Sequence, residues 1–120
     1  LPIAIYEGRS RCVIRLDGDI DIGCSDELKK ILIEAISTRK ELQMDLSRAT
    51  DLDITAIQLL WAVTQEAARA GAKVGVIGHL PESVSRSFSD AGFEKFPIPP
   101  SPQTEPEGPA GVAAESANDR

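Results

Sequence analysis

The sequence predicts one α/β domain over residues 1–97, built as a mixed β-sheet of four to five strands with three helices packed mainly on one face. Three observations predict it. Short β-rich runs alternate with longer runs of helical period, in the order β-β-α-β-α-β-α. The helical runs each carry one apolar stripe, so each needs a sheet face to cover. A chain of 120 residues has room for a single core.

Ile3 to Tyr6 and Arg11 to Leu16 read as strands, and RCVIRL alternates charged and apolar residues as a half-buried strand should. EGRS joins them as a hairpin turn. DGDIDIG then changes direction, with Asp17-Gly18 as a strong turn pair. From Cys24 or Ser25 a first helix runs to about Thr38, with Leu28, Ile31, Leu32, Ala35 and Ile36 forming its face. Leu42 to Leu46 is a short strand and SRATD a polar loop. A second helix spans about Ile54 to Ala70, with Ile57, Leu60, Trp61, Thr64 and Ala68 expected on the core side, and Gly71 stops it. Lys73 to Ile77 reads as a buried strand. Pro81 opens a third helix that buries Val84 and Phe88 and ends at Gly92, with a last short strand expected near Phe96. From residue 98 the composition shifts to Pro, Ala, Gly, Ser and Glu, and 98–120 is expected to be a disordered tail.

Composition narrows the function classes. Asp and Glu number 19 against 13 Lys and Arg, a net charge of −6, and the basic residues form no stripe, which argues against nucleic acid as a partner. No apolar run approaches the ~20 residues a membrane span needs, so no membrane insertion is expected. The chain opens on Leu1 instead of Met, so native sequence can precede it. Cys12 and Cys24 lack metal-ligand spacing and His79 stands alone, so no metal site is expected and both cysteines read as reduced thiols of a cytoplasmic protein. Asp17, Asp19 and Asp21 invite a calcium-loop reading, but the following glutamate and flanking helices are missing. GVIGHLP matches neither phosphate-binding fingerprint, and His79 has no nucleophile in a triad motif. Neither catalysis nor a cofactor has residues to stand on.

The chain resembles the STAS domains, the family of anti-sigma-factor antagonists and related regulatory modules. The likeness covers roughly residues 3–97 and rests on RLDGDIDI, on MDLSRATDLDITAIQLL and on VGVIGHLPESVSRSFSDAGFEKF. It implies an α/β fold without enzymatic activity whose task is to bind a partner. In members that switch, the hydroxyl residue after a loop aspartate is phosphorylated by a kinase that is also the partner. Asp53 matches that aspartate, yet Ile54 follows it, and Thr55 comes one position later.

The resemblance therefore implies a contact surface of Asp51, Asp53, Ile54, Thr55 and Gln58 at the mouth of the second helix, with Ser47 at its edge and Thr55 as the available phosphorylation site. Phosphate there would add roughly −1.5 to −2 charge beside Asp51 and Asp53 and repel a docked partner. With Asp53 as N-cap, Thr55 sits at N2, about 100° around the helix from Ile54. Ile54 either folds onto the core or stands out for a partner, and Thr55 either serves the local backbone or takes the phosphate. The expected function is an anti-sigma-factor antagonist that switches partners with a serine kinase/anti-sigma factor. The alternative is a constitutive accessory subunit of a lipid-transport ABC system or chemosensory assembly. Neither reading assigns an oligomeric state.

Overall fold

The computed structural model describes residues 2–101 of the chain. Strands β1 (Ile3–Glu7), β2 (Arg11–Ile20), β3 (Glu41–Leu52) and β4 (Val74–Ile77) form one sheet in that order. The β1–β2 pair is antiparallel, and β2–β3 and β3–β4 are parallel. Helices α1 (Ser25–Ser37), α2 (Ile54–Arg69) and α3 (Glu82–Asp90) supply the covering layer, with a single 3₁₀ turn, Ile22–Cys24, ahead of α1.

Pairing register explains which face is covered. Cys12 and Ile14 pair with Leu42 and Met44 of β3, Leu16 pairs with Ile3 of β1, and all six are buried. They join Leu28 and Leu32 of α1, Ile57 and Leu60 of α2 and Val84 and Phe88 of α3 in one core. Residues offset by one, Arg15 among them, turn to the opposite face, where Arg15 lies over the Tyr6 ring and 3.8 Å from Asp45. A one-residue slip would exchange the two sets, so the register is held by burial.

The sheet is longer than expected at two places. DGDI does not turn away after Leu16 but continues β2, and SRATD is no loop but the continuation of β3. The two segments pair across register shifts between Arg15 and Asp17 and between Gly18 and Asp19. Gly18 takes a positive φ of 75° there, so the residue that looked like a turn glycine serves an irregular ladder instead. Asp17 pairs with Arg48 at 3.3 Å, Asp19 accepts from the Thr50 hydroxyl, and Asp21 accepts from the Gly23 N–H at 2.9 Å. Each carboxylate of the run thus has a local partner.

The α2 stripe also differs. Ala56, Ile57, Leu60, Val63 and Ala67 are buried, whereas Trp61 is 38% exposed and Ala68 is exposed. Leu60 and Trp61 sit about 100° apart on the helix, and Val63 and Ala67 pull the buried stripe toward the Leu60 side. Trp61 rests at the edge of the core against Phe93, rings 5.4 Å apart.

The packed chain passes residue 97. Ile98 is 2% exposed, and the Val76 N–H donates to the Pro99 carbonyl while the Ser101 N–H donates to that of Val76, both at 2.8 Å. The added pairing is thus a single parallel bridge between Val76 and Pro100, not a strand near Phe96, whose ring packs on Phe88 instead. Ser101 Oγ accepts from the Gln43 side chain and donates to Glu41, both at 2.9 Å. Residues 102–120, where most of the expected tail falls, lie outside the described residues.

Both cysteines are free. Cys12 is buried in β2, and burial, aided by Glu7 and opposed by Lys40, pushes its thiol above the ordinary range. Half-buried Cys24 stands at the start of α1. A thiol reagent at neutral pH is expected to modify Cys24 and spare Cys12, which should react roughly tenfold or more slowly until denaturant is added. Equal labelling of the two by peptide mapping would contradict the placement of Cys12.

Among the described residues, no helix is long and apolar enough to cross a membrane.

Candidate functional site

The mouth of α2 is built by three local interactions. Asp53 has extended backbone (φ −78°, ψ 172°), and its side chain accepts from the Ala56 N–H at 3.0 Å, satisfying one of the unpaired donors at the helix start. The Asp53 N–H donates to the carbonyl of Ile20 at 3.0 Å, tying the mouth to the end of β2. One residue before Leu52, Asp51 accepts from the Ser87 hydroxyl of α3 at 3.1 Å. Helix start, sheet end and neighbouring helix are therefore held in one arrangement.

Within this frame Ile54 does not fold onto the core. At the first helical position its side chain is 54% exposed, standing away from the core. Thr55 is half-buried, and its hydroxyl makes no hydrogen bond to another described residue. The local backbone role weighed for Thr55 is filled by Asp53 alone. Gln58 and Trp61 follow Ile54 at i+4 and i+7, so these three form an outward stripe along α2.

Beside this stripe α2 and α3 enclose a shallow depression of about 200 Å³. Its lining includes Ile54 and Ile57 of α2, Asp51, and Ser87, Asp90 and Ala91 from the α3 side. Asp51 and Ile54 are thus brought together there, while Thr55, Gln58 and Ser47 do not line it. Ser47 lies further back on β3, its N–H and hydroxyl both directed at Asp45, and its Cβ is 3.6 Å from where a side chain on Gly78 would begin.

Sequence reasoning missed Ser87 and Asp90. Their spacing of three marks one face of α3, adjacent to the Val84 and Phe88 face. That α3 lies against the mouth of α2 depends on tertiary packing, which no local pattern states. The site offers an apolar surface, carboxylates and a hydroxyl, with no metal-holding group of His, Cys, Asp and Glu among the described residues.

Comparison with known proteins agrees with this architecture. The model of the family described as "Mlab, STAS domain" matches residues 3–100. An anti-sigma factor antagonist from Mycobacterium paratuberculosis superposes with a TM-score of 0.68 at 20% identity, covering 83% of this chain and 86% of that one. A variant of RsbS from Moorella thermoacetica gives 0.65 at 16% identity, covering 82% and 85%. The Bacillus cell fate determinant SpoIIAA in its phosphorylated form gives 0.61 at 17% identity, covering 75% and 83%. At these identities the structural likeness speaks for the fold.

Proposed function

The chain belongs to the STAS domain family, and on that premise we propose that it is a non-enzymatic interaction module of the anti-sigma-factor antagonist type, docking a serine kinase/anti-sigma factor through the mouth of α2. The observation that carries this reading is the exposed Ile54, an apolar side chain held into solvent by a capped and cross-braced helix start. Complete burial of a fully exposed isoleucine is worth roughly 1.5–3 kcal/mol, and with 54% of Ile54 exposed about half of that is still to be gained on docking. Asp51, Asp53 and Gln58 complete the contact, and Ser47 borders it.

Regulation in this reading passes through Thr55. Thr55 is half-buried, one residue past the exposed Ile54 and just ahead of the buried Ala56 and Ile57. Phosphate at N2 is compatible with the helix start, where N–H groups and dipole favour negative charge, yet it repels a partner that seeks the same surface. Switching thus releases the partner without unfolding the domain. Intact-mass analysis of the protein from its host, under growth and under stress, should show about 80 Da added at Thr55 in one condition; unmodified protein in every condition would remove the switch.

The isoleucine at the acceptor position, which cannot take a phosphate, is what a second reading rests on, a constitutive accessory subunit of a lipid-transport ABC system or chemosensory assembly. Photo-crosslinking from position 58 in the host separates the two. A kinase-type anti-sigma factor in the crosslink supports the leading reading, and a transporter ATPase supports the second. With Ile54→Asp the crosslink should fall at least about tenfold while the circular dichroism spectrum stays unchanged, since a carboxylate in place of the isoleucine must be desolvated on docking. Undiminished crosslinking would remove this surface from both readings.

A further inference from the structure

The depression beside Ile54 has a composition that selects its occupant. Its lining combines the aliphatic residues Leu52, Ile54, Ile57 and Ala91 with the carboxylates Asp51 and Asp90 and the hydroxyl residue Ser87. No basic residue lines it, and Asp90 has no ion pair among the described residues. Among the described residues the Asp51 side chain holds only the Ser87 hydroxyl, which also donates to the Ser83 carbonyl. A purely apolar anchor would strip water from two carboxylates and return nothing to them. An anionic anchor would add repulsion, in a chain already at −6.

We infer that the mouth of α2 binds its protein partner through an arginine, whose methylene stem lies on Ile54 and Ile57 while its guanidinium reaches Asp51 and Asp90. This rests on the docking role proposed above for the same surface. Long cationic side chains lay their stems along apolar surface and carry the charged head to polar groups, which matches a depression lined by both aliphatic side chains and carboxylates. The guanidinium is weakly hydrated, and its forked donors can serve two carboxylates at once, a task for which the single ammonium of lysine is less suited. Ile54 thereby has a purpose at a position where a hydroxyl would leave the stem without an apolar wall.

The probe is a helical alanine-based peptide with one central arginine flanked by leucines, titrated into the isotopically labelled full chain and followed by amide shifts. The expected result is saturable shifts at Asp51, Ile54, Ser87 and Asp90. Affinity should fall at least about fivefold when citrulline, of the same shape without charge, replaces the arginine. Asp90→Asn, which touches no intramolecular bond, should weaken the arginine peptide and leave the citrulline peptide unchanged; Asp51→Asn should do the same. Equal affinity of the two peptides, shifts centred elsewhere, or no saturation would each overturn the inference. Loss of the host crosslink in Ile54→Asp alongside indifference to citrulline would sink the arginine anchor alone, whereas a crosslink that survives Ile54→Asp would sink the docking surface itself.

Discussion

Phe88→Ala is expected to lower the unfolding free energy by about 3–5 kcal/mol, a large part of the 5–15 kcal/mol typical of a domain this size. Phe88 is 1% exposed, the largest of the fully buried side chains. Its ring meets Phe96 edge-on at 4.7 Å and Phe93 at 5.7 Å, and Phe93 in turn meets Trp61. Removing it opens a cavity under α3 and also takes away ring contacts worth about 0.5–1.5 kcal/mol each beyond burial. The consequence reaches the candidate site, since α3 carries Ser87 and Asp90. A urea titration should show a lower midpoint with an unchanged slope. Trp61→Ala, at a half-exposed ring, should cost clearly less; equal losses would mean that the cluster is not centred on Phe88.

Gly75→Ala should cost about 2–3 kcal/mol, although it adds one methyl group to a strand. A Cβ at Gly75 would fall 2.5 Å from Ser101 Cα and 2.7 Å from Ser101 N, backbone atoms that have no side-chain freedom to yield. The chain at Ser101 must then move. Val76 loses its bonds to Pro99 and Ser101, and Gln43, a buried amide at 2% exposure, loses the Ser101 hydroxyl. Two backbone bonds at about 1 kcal/mol each set the lower bound. Hydrogen exchange should show the Val76 amide deprotected by the substitution; unaltered protection there would refute the account. Ser101→Ala removes only the side-chain bonds and should cost about half as much.

Much of the core was legible because burial follows period. Cys12, Ile14 and Leu16 alternate, and Leu28, Leu32 and Ala35 recur at helical spacing, so the buried face of each element is written in its period. The Asp53 cap was legible for the same reason, a short acceptor immediately before an apolar helical run. What escaped was irregular or tertiary. Asp17-Gly18 carries turn chemistry, yet its pairing with Arg48 and Ala49 across the register shifts keeps it in the sheet. Ile98 lies among prolines, a setting that reads as tail, and its burial goes with the bridge between Pro100 and Val76, a pairing too distant in sequence for any local pattern to show. In the candidate site, Asp51 and Ile54 could be named from the helix start, whereas Ser87 and Asp90 enter only through the packing of α3 on α2.

The bridge at Pro100 also changes what the β4 edge offers to another strand. An edge strand with free N–H and C=O groups is a template for any other strand, and β4 is short and apolar enough to serve as one. Pro99 and Ser101 turn their bonding groups toward Val76, so Pro100 turns its own outward, as alternate residues of a parallel strand do. Proline has no N–H, and a strand arriving from another molecule meets a carbonyl there and no donor. The residues that made the segment look unstructured are therefore the ones that cover the β4 edge, at the opposite side of the sheet from β1.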